Sequence, residues 1–79
     1  MVETRVAPRY RVRKPALIEY GGIKIDCTLC DLSTTGAALD VFDPKRLPPN
    51  FTLNVPEDGL KLRCRIVRRL EFRIGVVFE

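Results

Sequence analysis

Ile23-Lys24-Ile25-Asp26-Cys27-Thr28-Leu29-Cys30 decides how this chain is read. Ile23, Ile25, Cys27 and Leu29 alternate with Lys24, Asp26, Thr28 and Cys30, the period-2 pattern of an antiparallel strand with one dry and one wet face. Gly21-Gly22, just before it, tolerates the positive φ of a tight hairpin, so Pro15–Tyr20 is expected to fold back as the first strand. On its other side the strand runs into the turn Asp31–Gly36. A third strand then sends Ala37, Leu39 and Val41 to one face and Ala38 and Asp40 to the other.

Further along, residues 43–50 are too dense in proline for a central strand; a helical turn with Asp43 as N-cap and Pro44 at its first position, then a loop, is expected. Phe51, Leu53 and Val55 share a face of strand four, which stops at the turn Pro56-Glu57-Asp58-Gly59. In strand five Leu60, Leu62, Cys64 and Ile66 alternate with Lys61, Arg63 and Arg65. Val67-Arg68-Arg69-Leu70 breaks the alternation, and a bulge there would restore it. Strand six, Phe72 to Phe78, places Phe72, Ile74, Val76 and Phe78 together. Six short strands with one apolar side must hide that side, and in so short a chain closing the sheet on itself is the economical way. The pattern predicts an all-β fold, a small six-stranded antiparallel β-barrel over 15–79 with a flexible basic N-terminal arm over 1–14.

Seventy-nine residues, 46% apolar and 30% charged, fit one soluble domain. No apolar run is long enough for a membrane helix, and the N-terminus lacks the apolar stretch of an export signal, so a cytoplasmic protein is expected. The net charge of +4 resides in residues 1–14, where Arg5, Arg9, Arg11, Arg13 and Lys14 face Glu3 alone; the remaining basic and acidic side chains balance at nine each. A basic arm on a neutral body suits a local anionic partner better than a long polyanion.

Cys27 and Cys30 have Cys-x-x-Cys spacing, but with no histidine and only Cys64 besides, four metal ligands are not available, and no metal is expected. Residues three apart in a strand point to opposite faces, so Cys27 and Cys64 are core candidates and Cys30 a surface thiol. Lys61, Arg63 and Arg65 read as a solvated barrel exterior. Phe51, Phe72 and Phe78 read as core, leaving Tyr10 and Tyr20 as candidate exposed rings. That argues against an oligonucleotide-binding barrel, which presents aromatic platforms on its strands. With no histidine, no nucleophile beside a base and no glycine-rich phosphate loop, catalysis is not expected.

Two polar motifs carry the chemistry. Arg5-Val6-Ala7-Pro8-Arg9 puts two planar, always-charged forks on the arm, suited to phosphate oxygens and to a purine's acceptor edge. Asp31-Leu32-Ser33-Thr34-Thr35-Gly36 offers a carboxylate to orient a guanidinium or accept from a base, a hydroxyl for a phosphate, and a glycine that lets backbone approach a flat ring. In this order and spacing the two motifs resemble the paired signature of PilZ domains, bacterial receptors for cyclic di-GMP, and Arg73-Ile74-Gly75-Val76-Val77-Phe78 resembles that family's closing strand. The resemblance implies a receptor in which Arg5, Arg9, Asp31, Ser33 and Gly36 bind cyclic di-GMP, the ordered arm then changing contact with a downstream protein. Thr4 stands where many members carry a further arginine, and family members hold either one ligand or a stacked pair. The chain ends at Glu79, where many relatives append a helix. Two alternatives remain: a nucleotide-independent interaction module on the same barrel, and a small nucleic-acid-binding barrel.

Overall fold

The computed structural model describes residues 10–79. Six strands, β1 (Tyr10–Tyr20), β2 (Ile23–Leu32), β3 (Gly36–Asp40), β4 (Asn50–Val55), β5 (Leu60–Arg69) and β6 (Arg73–Phe78), close into a barrel in the order β1-β2-β3-β6-β5-β4. All six neighbouring pairs are antiparallel. The expected barrel is therefore observed.

Alternation builds the core. Ile18, Leu29, Leu39, Phe51, Leu53, Cys64 and Ile74 are fully enclosed, one or two from every strand. Burial pushes the Cys27 thiol up to about 12 and the Cys64 thiol to about 11, so both remain neutral and pack as small apolar groups. The hairpin at Gly21-Gly22 has φ of 53° and 81°, and Gly59 closes the β4–β5 turn at 64°. A side chain would be strained at any of these three.

Three expectations are corrected. β1 begins at Tyr10, not Pro15, so residues 10–14 of the expected arm pair with β2. Pro15 is accommodated because, among the described residues, β4 joins β1 only over Leu17–Glu19. Cys30 is buried, not a surface thiol: it is the extra residue of a bulge in β2, between Leu29 opposite Leu39 and Asp31 opposite Ala38, and Arg13 and Asp40 cover it. Phe72 is 58% exposed because β6 starts at Arg73 and leaves this ring in the turn. Phe78 is half-buried against the core, as is Tyr20. The expected bulge in β5 falls at Val67, between Ile66 opposite Val76 and Arg68 opposite Gly75.

The topology gives the barrel two unlike ends. One carries the start of β1, the Asp31–Gly36 turn, the β4–β5 turn and Glu79; Lys14 on β1 is paired there with Asp58 at 2.8 Å. The other carries the Gly21-Gly22 hairpin, the β5–β6 turn and the crossing from β3 to β4. That crossing contains a 3-10 turn, Pro44–Arg46, preceded by Asp43, whose side chain makes no cap bond. Pro44 and Leu47 are buried, so the crossing plugs the barrel. Its backbone is satisfied by neighbours: Ile66 N–H donates to the Pro49 carbonyl at 2.8 Å, and the Arg69 guanidinium donates to the carbonyls of Pro44 and Leu47.

Candidate functional site

The β2–β3 turn is held by its own serine. Ser33 Oγ accepts from Thr35 N–H at 3.2 Å and Gly36 N–H at 3.1 Å, lies 3.2 Å from the Gly36 carbonyl to which it donates, and is 3.3 Å from Thr35 Oγ1. Ser33 N–H also donates to the Gly36 carbonyl at 2.9 Å. The hydroxyl's bonding capacity is thus engaged within the turn. Gly36 has no positive φ; its need is space, because a Cβ there would run into the backbone carbonyl of Val76 on β6.

Asp31, half-buried at the end of β2, stands between two shallow clefts on the outer face of the barrel. One, about 330 Å³, runs from Ser33 and Gly36 across Ala38 and Gly75 to Arg68 and Arg73. Its floor is paved with glycine and alanine where β3, β6 and β5 lie side by side, Ala38 opposite Gly75 and Gly75 opposite Arg68. Such a floor leaves backbone accessible to a flat ring. The other, about 320 Å³, lies between Val12, Arg13, Cys30, Asp31 and Arg73.

Charge in these clefts is organised by Asp40. Arg73 Nε donates to Asp40 Oδ1 at 2.7 Å, and Arg13 approaches the same carboxylate at 3.9 Å. The Arg73 bond, followed by the Cys30 thiol, holds the Asp40 carboxyl below its usual range; in return Asp40, with Cys30 and Asp31 adding to it, raises the Arg73 guanidinium. Cys30 Sγ lies 3.6 Å from Arg13 Nη1 and 3.5 Å from the Thr28 carbonyl, and burial followed by Asp40 pushes its pKa up, which disfavours the thiolate. Among the described residues no group of three or more His, Cys, Asp or Glu could hold a metal ion.

The turn therefore places Asp31, Ser33 and Gly36 together, as expected from the sequence. Arg5 and Arg9 lie outside the described residues, as does the side chain of Tyr10. Three cations missed as site residues, Arg13, Arg68 and Arg73, line the clefts. Arg73 was legible only as part of a closing strand. Closure of the barrel brings it from the far end of the chain to Asp31. Lys61, Arg63 and Arg65 are exposed on β5, and none of them lines either cleft.

The backbone register joins the arm to this site. Tyr10 pairs with Leu32 and Arg11 with Asp31, so the described chain starts beside the turn. Residues 3–79 match the PilZ family, described as PilZ domain. No curated protein matches the chain.

Proposed function

We propose that this chain, which belongs to the PilZ domain family, is a receptor domain that binds cyclic di-GMP across the clefts flanking Asp31 and signals through a partner protein. PilZ domains are a family of binding domains that take cyclic di-GMP as ligand and work with partner proteins; they are not an enzyme family.

The observation that carries the finer reading is the register of β1 on β2. A chain spans at most ~3.6 Å per residue, so Arg9, next to Tyr10, is tethered within one residue of the Asp31–Gly36 turn. By the same limit Arg5 reaches anything within about 18 Å of Tyr10. Both forks are thus deliverable to a ligand seated by Asp31. In this reading Arg5 and Arg9 grip phosphate oxygens or a guanine edge, and Asp31 orients a guanidinium or accepts from guanine.

Ser33 has a double part. Its hydroxyl sets the turn, and it can meet a phosphate only by giving up its bond to the Gly36 carbonyl. The exposed Thr34 and Thr35 beside it keep the approach polar. Arg73 and Arg68 add positive charge on the far side of the cleft, though Arg73 shares its charge with Asp40. Ordering of the arm over the ligand is the output, in a cytoplasmic setting.

Calorimetric titration of the full chain with cyclic di-GMP tests this. Saturable binding is expected. A folded sample that takes up no ligand at millimolar concentration overturns the receptor reading and leaves the nucleotide-independent module. One specific observation favours that second reading: the bonds of Ser33 and the close approach at Gly36 explain both residues without any ligand.

A further inference from the structure

Asp31 and Arg73 line both clefts of the site. Arg73 is the cross-strand partner of Asp40, β6 beside β3, and its Nε donates to Asp40 Oδ1 at 2.7 Å. That bond uses one donor of the guanidinium. Among the described residues the two terminal nitrogens of Arg73 make no hydrogen bond, so the Nη1 and Nη2 end is left as an open fork.

Asp40 is itself fixed. Arg13 approaches its Oδ2 at 3.9 Å, and the Cys30 thiol, buried in the β2 bulge, interacts with the same carboxylate, so β1, β2 and β6 converge on one side chain of β3. An arginine already bonded at Nε has less rotamer freedom to lose when it meets a ligand. Two N–H donors in one plane match the N7 and O6 acceptors of guanine, an edge that adenine alters with its N6 donor. The next pair along the same two strands is Ala38 opposite Gly75, part of the small-residue floor on which a flat ring can lie beside that fork.

We propose that Asp40 is a positioning residue of the binding site: it holds Arg73 by Nε so that the Nη fork meets N7 and O6 of a guanine in the cleft, which makes Arg73 the residue that selects guanine. The inference rests on cyclic di-GMP being the ligand. It carries a sign that charge alone does not. A carboxylate beside an anionic ligand repels it, so removing Asp40 should tighten binding if the residue contributes only charge. Removal weakens binding if Asp40 aims Arg73.

The test is calorimetry of the full chain and its variants with cyclic di-GMP and with its 7-deaza analogue, in which C–H replaces N7. The parent should bind the analogue roughly ten-fold more weakly, since a hydrogen bond to a charged group is lost. In Arg73→Ala that difference should vanish. Asp40→Ala should weaken cyclic di-GMP several-fold and erase most of the difference, whereas Asp40→Asn, which keeps an acceptor for Nε, should bind at least as tightly as the parent and preserve it. With Arg73→Ala already in place, Asp40→Ala should cost nothing further. The proposal is overturned if the parent binds both ligands equally, if the difference persists in Arg73→Ala, or if Asp40→Ala binds cyclic di-GMP as tightly as the parent. Melting curves confirm the fold of each variant; should Asp40→Ala not fold, Arg73→Ala decides alone. No uptake of cyclic di-GMP by the folded parent fails the receptor reading and this inference with it, while uptake without dependence on N7 fails this inference alone.

Discussion

At one end of the barrel the β2–β3 connection is short, polar and bonded to itself; at the other, the β3–β4 crossing is longer, apolar and bonded to its neighbours. Ser33 satisfies the Asp31–Gly36 turn from within, while Pro44, Leu47 and Pro49 in the crossing depend on Arg69 and Ile66 of β5. Charge does not follow the same division: Lys14 is fixed on Asp58 at the end with the turn, but Arg73 and Arg13 meet Asp40 where β3 enters the crossing. A fold with one kind of strand thus offers two kinds of surface: a polar one held by its own bonds, and a more apolar one held by its neighbours.

The sharpest way to break the comparison is Gly36→Ala. The new Cβ meets the Val76 backbone carbonyl, which cannot turn aside as a side chain would, so a loss of about 3 kcal/mol or more is expected, at the top of the overpacking range. For a domain this small each kcal/mol is worth roughly 4–8 °C of melting temperature. A melt within a few degrees of the parent would show that the polar end is not rigid.

Next in size is Arg9→Ala, which should weaken cyclic di-GMP by ~1.5–3 kcal/mol, roughly 10- to 150-fold, with Arg5→Ala comparable. Arg9→Lys should lose much of the same affinity because an ammonium has no fork. Equal binding by Lys would reduce the arm's part to charge alone. Melting should barely change in any of these.

Cys64→Ser should follow, costing ~1–3 kcal/mol in urea unfolding, because a hydroxyl replaces a thiol in an enclosed apolar layer. Cys30→Ser should cost less. Its thiol already lies among polar groups at Arg13, Asp40 and the Thr28 carbonyl, which a hydroxyl can also meet. Equal costs at the two positions would contradict the bulge that separates them.

Acid provides the smallest effect. Asp40 has a folded pKa below its ordinary 3.8, chiefly through Arg73, so its contribution to stability is complete above that value and is lost as pH falls through the folded pKa. Asp40→Asn should therefore flatten the acid limb of a melting-temperature profile. An unchanged acid limb would show that the Arg73 pair is spent on solvent screening. At neutral pH, Lys61→Ala and Arg63→Ala should leave cyclic di-GMP affinity nearly unchanged, and oligonucleotides should bind weakly at physiological salt.

Period-2 alternation made five strands and the β5 bulge legible, because a buried face writes itself into every second residue. β1 was legible only from Pro15. Its first residues are dominated by Arg11, Arg13 and Lys14, and a bulge between Arg11 and Lys14 breaks the phase that would have exposed them as strand. The bulge at Cys30 defeated the alternation, because a one-residue change of register reverses which side is dry; Phe72 keeps the phase of Ile74 and Val76 but lies in the turn before β6. Asp31, Ser33 and Gly36 could be found because they are local in sequence. Arg68 and Arg73 could not, since only the β3–β6–β5 adjacency carries them to the turn.

The ring is closed by its narrowest join. β1 meets β4 over three residue pairs, Leu17 with Asn54, Ile18 with Leu53 and Glu19 with Thr52, whereas β4 and β5 share six. This join closes a long loop for only three pairs, so little pairing offsets its loop-closure entropy. In the native state the same join is the natural place for a transient parting, in which the β1 side of the seam exposes its amides to exchange before the β4–β5 hairpin does. The pairing of Tyr10 and Arg11 with β2 belongs to a different join. A breath at the seam would therefore loosen the wall of the barrel while the root of the arm keeps its place beside Asp31.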